Sequence, residues 1–337
     1  MNNKILIVGS FSKGALEHQY VRVLKIEKWD VYEFDIQKRV NSRREISFFT
    51  KAYFKFNQSY FYKDSNLELI RLVKTLNPKV VLVFKGMEIF PDTLNIIKQS
   101  GAFLVNYNPD HPFQFFSEGA GNANVLNSVS IYDLYISYST KIVNDINIKF
   151  GNAACIPFGY DETIKVNHHP IDEVVFIGAY DKTRESELSQ LSSSKLSIYG
   201  PINWSQKIKN NNKLLPKYKG KPLYDLEYYE ALSNSIASIN ILRMQNIVEG
   251  SHNMRTFETT GVGGLMISNR TTEHLSFFEE GKEALYFDTI EELNEIINDK
   301  LNNTANIAEM KKAALDRCKT SNYSYSDRVK EFISLIK

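Results

Sequence analysis

Arg255 and Glu258 stand three residues apart in the stretch NMRTFETTGVGGLMIS (253–268), just ahead of Gly261, Gly263, Gly264 and a short apolar run. A guanidinium can fork onto a phosphate, a carboxylate can accept from two ribose hydroxyls, and glycines let a backbone come close to a ligand. The segment asks for a nucleotide, with phosphate on Arg255, ribose on Glu258, and Asn253 opening the same donor-side stretch.

Further candidates recur where apolar runs end. In FIGAYDKTRESEL (176–188), Gly178 permits close backbone approach and Arg184 stands near the start of a helix, where a diphosphate would meet it; the alternative is an exposed Arg184 paired with Glu185 or Glu187. In IYGPINW (198–204), Tyr199 and Gly200 can form a wall against a base, or Tyr199 and Trp204 can be core residues. INILRMQN (239–246) resembles a buried strand finishing on a polar cluster, with Asn240 and Arg243 reaching a ligand.

In the first half, VNYNPDHPF (105–113) ends an apolar run and places Asp110 and His111 between Pro109 and Pro112. Either could deprotonate a hydroxyl nucleophile at a strand rim; the alternative is a loop in which the Asp caps a turn and the His is exposed. The first turn, GSFSKGA (9–15), fits neither the dinucleotide nor the Walker spacing, yet free N–H groups after Gly9 and Ser10 could still face an anion.

Other chemistries lack support. His168, His169 and Asp172 do not share the i, i+4 spacing of helix metal ligands, and HExxH, DxD and GxSxG do not occur, so no metal is expected. Cys155 and Cys318 form no CxxC pair. Forty-one basic against thirty-nine acidic side chains give a net charge of +2, without the basic signature of a nucleic-acid partner. Residues 38–63 combine Lys38, Arg39, Arg43, Arg44, Lys51, Lys55 and Lys63 with a helical stripe of Phe49, Tyr53, Phe56 and Tyr60. The stripe suits a membrane surface, or equally a helix packed on its own sheet with its lysines in water.

The elements that must position these groups follow from periodicity. Short β-branched or apolar runs alternate with amphipathic stretches throughout, which predicts an α/β fold of parallel sheets with helices on both faces. The 337 residues allow two domains: a Rossmann-like unit over 1–158, a linker over 159–172, a second Rossmann-like unit over 173–320 and a terminal helix over 321–337. No run reaches the ~18 apolar residues of a spanning helix and no cleavable signal pattern opens the chain, so a soluble, cytoplasmic protein is expected.

FIGAY with Arg184, IYGP, SINIL with Arg243, NMRTFE, GLMIS and FFEEGKEALYF keep an order and spacing, over 173–290, that resembles the CgeB-like, spore-maturation-type glycosyltransferases of the GT-B superfamily. NPDHP matches more loosely. The resemblance implies GT-B architecture: two facing Rossmann-like domains, a cleft between them, and a last helix crossing back. It further implies a nucleotide-sugar donor held by the C-terminal domain through Glu258 at the ribose, Arg255, Arg243 and Arg184 at the diphosphate, and Tyr199 and Gly200 at the base. Related enzymes carry a second glutamate in an EGFG-like loop; here Glu249-Gly250 lies nine positions before Glu258 and continues as Ser251, His252, Asn253.

The expected activity is metal-independent transfer of a sugar from a UDP-, dTDP- or GDP-linked donor to a saccharide or lipid-linked acceptor, in bacterial surface or secreted glycan synthesis. No cofactor is expected, and a peripheral contact with the inner face of a membrane would run through 38–63. The competing functions are a nucleotide-sugar epimerase or phosphorylase on the same fold, and a non-catalytic nucleotide-sugar-binding protein.

Overall fold

A computed structural model describes residues 3–116 and 119–337. The chain divides into two compact units, one running to Pro157 and reclaiming Val329–Lys337, the other spanning Phe158–Arg328. The 159–172 stretch therefore groups with the second unit.

Unit 1 contains β1 (Lys4–Gly9), α1 (Leu16–Ile26), β2 (Asp30–Asp35), α2 (Ile36–Arg44), α3 (Phe48–Phe56), α4 (Gln58–Leu76), β3 (Val80–Phe84), α5 (Pro91–Gln99), β4 (Phe103–Asn108), α6 (Ala123–Ser128), β5 (Leu134–Ser137), α7 (Thr140–Lys149) and β6 (Ala153–Cys155). Its six strands pair in parallel in the order β2-β1-β3-β4-β5-β6. Ile5 to Val8 and Val80 to Val83 are wholly buried, as continuous apolar runs must be when helices cover both faces of a sheet.

Unit 2 contains β7 (Val174–Ile177), α8 (Lys182–Ser189), β8 (Leu196–Tyr199), α9 (Asn203–Lys207), α10 (Asp225–Asn234), β9 (Ala237–Asn240), α11 (Met244–Glu249), α12 (Arg255–Gly261), β10 (Met266–Asn269), α13 (Thr272–Phe277), β11 (Leu285–Phe287), α14 (Ile290–Asp299) and α15 (Thr304–Thr320). Its five parallel strands run β11-β10-β9-β7-β8. Phe176, Ile198, Trp204, Ile239 and Ile267 lie in its main core. The last helix, α16 (Tyr325–Leu335), starts in unit 2 and ends in unit 1, where Phe332 packs edge-on against Tyr20.

Two expectations need correction. The aromatic stripe over 49–60 is not one helix, because Asn57 closes α3 and its side chain accepts the Tyr60 N–H to open α4. Of the glycines beyond Glu258, two are confined by packing, since a Cβ on Gly261 would strike the Tyr160 ring and one on Gly264 the Leu232 carbonyl, while Gly263 takes a left-handed φ of 77. Among the described residues no helix is long and apolar enough to cross a membrane.

Candidate functional site

In both sheets the connections change direction at one point, between β1 and β3 in unit 1 and between β7 and β9 in unit 2. Open parallel sheets bind ligands outside the C-terminal strand ends at such points. Gly178 follows β7 and Asn240 ends β9, so the unit 2 switch point lies among the donor-side candidates.

Arg184, in the first turn of α8, is buried and spans the two strand exits. Its Nε and Nη2 donate to the Ile241 carbonyl at 3.3 and 2.9 Å, and Nη1 donates to the Ala179 carbonyl at 3.2 Å. The N-terminus of α8 already has an acceptor, since the Asp181 side chain takes the N–H groups of Thr183 and Arg184. Burial first, then the charges of Arg255 and Arg243, pull the Arg184 pKa down to about 9. Asp181 and Glu187 offset this only in part. None of these three arginines forms an ion pair among the described residues.

Arg255 opens α12, and its Nη1 donates to Asn240 Oδ1 at 3.3 Å. Asn240 and Asn253 exchange side-chain amide hydrogen bonds of 3.1 and 2.8 Å, which fixes the loop before α12 against the end of β9. The Arg255 Nε is buried with no hydrogen-bond partner. A buried charged donor left unmet costs more than the ~1–3 kcal/mol of a neutral one. Arg243, between β9 and α11, is exposed. Together these side chains concentrate positive charge that Asp181, Glu187 and Glu258 offset only in part, without an ion pair to any of the three among the described residues, and such an excess suits an anion.

Glu258 lies one helical turn beyond Arg255, on the same face of α12. Its Oε2 accepts from the Tyr228 hydroxyl of α10 at 2.7 Å. Burial raises the Glu258 pKa above the usual carboxylate range, while Tyr228 and Arg255 hold it back. Burial, then the neighbouring Glu258 carboxylate, push the Tyr228 phenol well above its ordinary value.

On the β8 side, the Tyr199 hydroxyl donates to Glu173 Oε2 at 3.3 Å, and burial followed by that carboxylate raises its pKa to about 12. Gly200 is confined by close approach, as a Cβ there would strike the Gly178 carbonyl and the Trp204 indole. Trp204 is fully buried and its Nε1 donates to that carbonyl at 2.9 Å, so it is a core residue that holds the Gly178 turn.

In unit 1, Asp110 is half-buried, and its carboxylate pairs with Lys85 Nζ at 2.7 Å. Lys85 follows β3 with φ 62, a left-handed conformation that costs a non-glycine residue energy and persists only when its surroundings enforce it. His111 is buried, and its Nδ1 accepts the N–H groups of Phe113 and Gln114, both at 3.1 Å. Burial lowers its pKa, so the neutral ring is the resident form and its Nδ1 lone pair is committed to two amides. The Ser10 N–H is not free for an anion either, because Glu17 Oε1 accepts it at 2.8 Å. A cavity of about 170 Å³ beneath this rim is lined by Gly9, Ser10, Glu17, Lys85, Glu88 and Pro109, among others. Burial raises the pKa values of both Glu17 and Glu88.

Lys85 and Tyr228 are the site residues that sequence reasoning passed over. Lys85-Gly86 directly after the VVLVF run carried a signal of the kind used elsewhere; Tyr228, inside a helical run, carried none. Among the described residues no group of three or more His, Cys, Asp or Glu side chains could hold a metal ion.

Comparison with known proteins adds a domain match and a fold. Residues 184–334 match the family model described as glycosyl transferase-like. No match was found among curated proteins. Among solved structures, the chain is similar to a sucrose-phosphate synthase from Thermosynechococcus elongatus, with a TM-score of 0.71, 11% identity and 98% of each chain covered. It is similar to Anabaena HepE in complex with UDP-glucose, with a TM-score of 0.65, 12% identity, and 98% of this chain and 99% of that one covered. A Listeria monocytogenes protein described as a UDP-N-acetylglucosamine 2-epimerase gives a TM-score of 0.61 at 11% identity, covering 100% of this chain and 96% of that one. Residues 184–334 thus resemble a glycosyl transferase-like domain, and the chain as a whole has a fold of two parallel-sheet, Rossmann-like units that matches GT-B structures.

Proposed function

We propose that this protein transfers a sugar from a nucleotide-sugar donor to a saccharide or lipid-linked acceptor, with the donor held in unit 2. The observation that carries the reading is the convergence of Arg184, Arg243 and Arg255 without an ion-pairing carboxylate, one of them with a buried, unmet Nε. A diphosphate supplies the missing negative charge, and Glu258, a turn away from Arg255, accepts from the ribose hydroxyls through the oxygen that Tyr228 leaves open. Tyr199 and Gly200 border the base. UDP is the first nucleotide to test, ahead of dTDP and GDP, because HepE was solved with UDP-glucose.

In the reaction the anomeric carbon loses its bond to the diphosphate oxygen and gains one to the acceptor oxygen. Arginines stabilise the departing diphosphate where other enzymes use a metal. For an inverting reaction the acceptor proton passes to Asp110, which is favoured over His111 because the imidazole Nδ1 already accepts two amide hydrogens. The finer reading is a CgeB-like enzyme of bacterial polysaccharide synthesis, acting in the cytoplasm with a peripheral membrane contact through 38–63.

A second reading, nucleotide-sugar epimerisation, draws on the Listeria neighbour. Purified protein incubated with UDP-, dTDP- and GDP-sugars separates the two. Released nucleoside diphosphate supports transfer or its hydrolytic side reaction, an isomerised but intact nucleotide-sugar supports the epimerase, and tight binding without either product supports a non-catalytic binding protein.

A further inference from the structure

The helix α3 turns its aromatic face outward. Phe48, Phe49 and Phe56 are 79, 82 and 88% exposed, Ile46 in the turn before them is 75% exposed, and Tyr53 and Tyr60 are exposed at the margin. Only Phe54 points inward, against the small cluster of Val40, Phe61 and Tyr62. At about 100° per residue, Phe48, Ala52, Phe49 and Phe56 form one strip, with Lys51 and Lys55 along one edge and Tyr53 along the other. Packing on the sheet of unit 1, the alternative the sequence left open, does not hide this strip.

Such exposure leaves a contiguous set of large apolar side chains in water, so the strip calls for an occupant. Charge indicates which. From Ile46 to Lys63 there is no carboxylate, while Lys51, Lys55 and Lys63 are exposed and form no ion pair among the described residues. Arg39, Arg43 and Arg44 are already answered by Glu68, Asp64 and Glu45. Size argues against a protein partner on this helix alone. Nine residues make a helix about 13 Å long and about 12 Å across. That footprint is far below the ~800 Å² each partner buries in a standard interface.

We propose, resting on and sharpening the membrane contact of the proposed function, that α3 and its entering turn form a peripheral docking surface for an anionic lipid bilayer, with Ile46, Phe48, Phe49 and Phe56 entering the headgroup–acyl boundary and Lys51, Lys55 and Lys63 meeting lipid phosphates. Interfacial helices combine these features, an apolar face bordered by lysines and aromatic residues at the edge.

The test is co-sedimentation of the full chain with vesicles of phosphatidylcholine alone and of phosphatidylcholine and phosphatidylglycerol in equal parts. Wild type is expected to pellet with the mixed vesicles and to be released by salt. The variant F48S/F49S/F56S alters only exposed side chains and should lower the partition coefficient about a hundredfold or more. K51E/K55E should lower it about tenfold or more. Circular dichroism and nucleotide titration in solution verify folding and read the donor site independently of this proposal. Absence of wild type from the mixed-vesicle pellet, or equal partitioning of wild type and the serine variant, overturns it. So does self-association that the serine variant abolishes without any vesicle binding, which assigns the strip to a second copy of the chain.

Discussion

The Tyr228 hydroxyl donates to Glu258 Oε2 across 2.7 Å, joining α10 to the helix that begins with Arg255. A carboxylate held on one oxygen keeps the other for a ligand, so Tyr228 orients the group proposed to bind ribose. Tyr228→Phe should leave the fold intact and weaken nucleotide binding severalfold, because Glu258 loses the hydrogen bond that favours its ionised form. Calorimetric titration of the variant checks this; an affinity equal to wild type would remove Tyr228 from the site.

The acid limb of binding follows from the same pair. Glu258 accepts ribose hydroxyls when ionised, and burial has raised its pKa, so affinity should fall on acidification at a higher pH than an exposed carboxylate would give. Titrating a nucleoside rather than a nucleotide keeps phosphate protonation out of the measurement. Glu258→Gln should flatten this acid limb, and a profile identical to wild type argues against Glu258 as the ribose ligand.

Stability should move the opposite way. A carboxyl whose folded pKa exceeds its unfolded one destabilises the folded state progressively as pH rises through the unfolded value, and that penalty is fully present once pH passes the folded one. Glu258→Gln removes that penalty, so its melting temperature near neutral pH should equal or exceed that of wild type while nucleotide affinity drops. Strong destabilisation would mean that the carboxylate serves the fold.

The periodicity that marks strands and helices is local and legible: β1, β3 and β7 fall on VILF-rich runs, and Arg184 stands in the first turn of the helix expected of it. What escaped the sequence is non-local. Tyr228 reaches Glu258 because α10 packs on α12, and Lys85 pairs with Asp110 because each follows one of two adjacent strands, β3 and β4. The 49–60 stripe has helical spacing across a break set by one capping side chain, Asn57, and whether its rings face core or water depends on a tertiary packing that spacing does not encode. Arg184 was placed at the correct helix start, but its burial under two strand-exit carbonyls was not foreseeable.

Asp110 and His111 should separate cleanly in turnover assays. Asp110→Asn should abolish transfer while sparing donor binding, whereas His111→Ala should mainly destabilise the loop by leaving the Phe113 and Gln114 N–H groups unmet. Full turnover in Asp110→Asn with a matched acceptor would exclude it as the base.

Arg243 allows a test of the charge cluster without disturbing the core. It is exposed, so Arg243→Ala should fold normally, yet it should cost about 1.5–3 kcal/mol of nucleoside diphosphate binding, the range for a charged hydrogen bond. Removing its repulsion should also raise the depressed Arg184 pKa. Unaltered affinity would confine the diphosphate site to Arg255 and Arg184.

The most direct test of a donor site in unit 2 is isothermal titration of UDP, dTDP and GDP into wild type and Arg255→Ala. The arrangement of Arg255, Asn240 and Glu258 requires that wild type bind at least one of them and that the variant lose at least about tenfold in affinity, equivalent to about 1.4 kcal/mol. No binding by wild type, or equal affinity in the two proteins, would contradict the assignment.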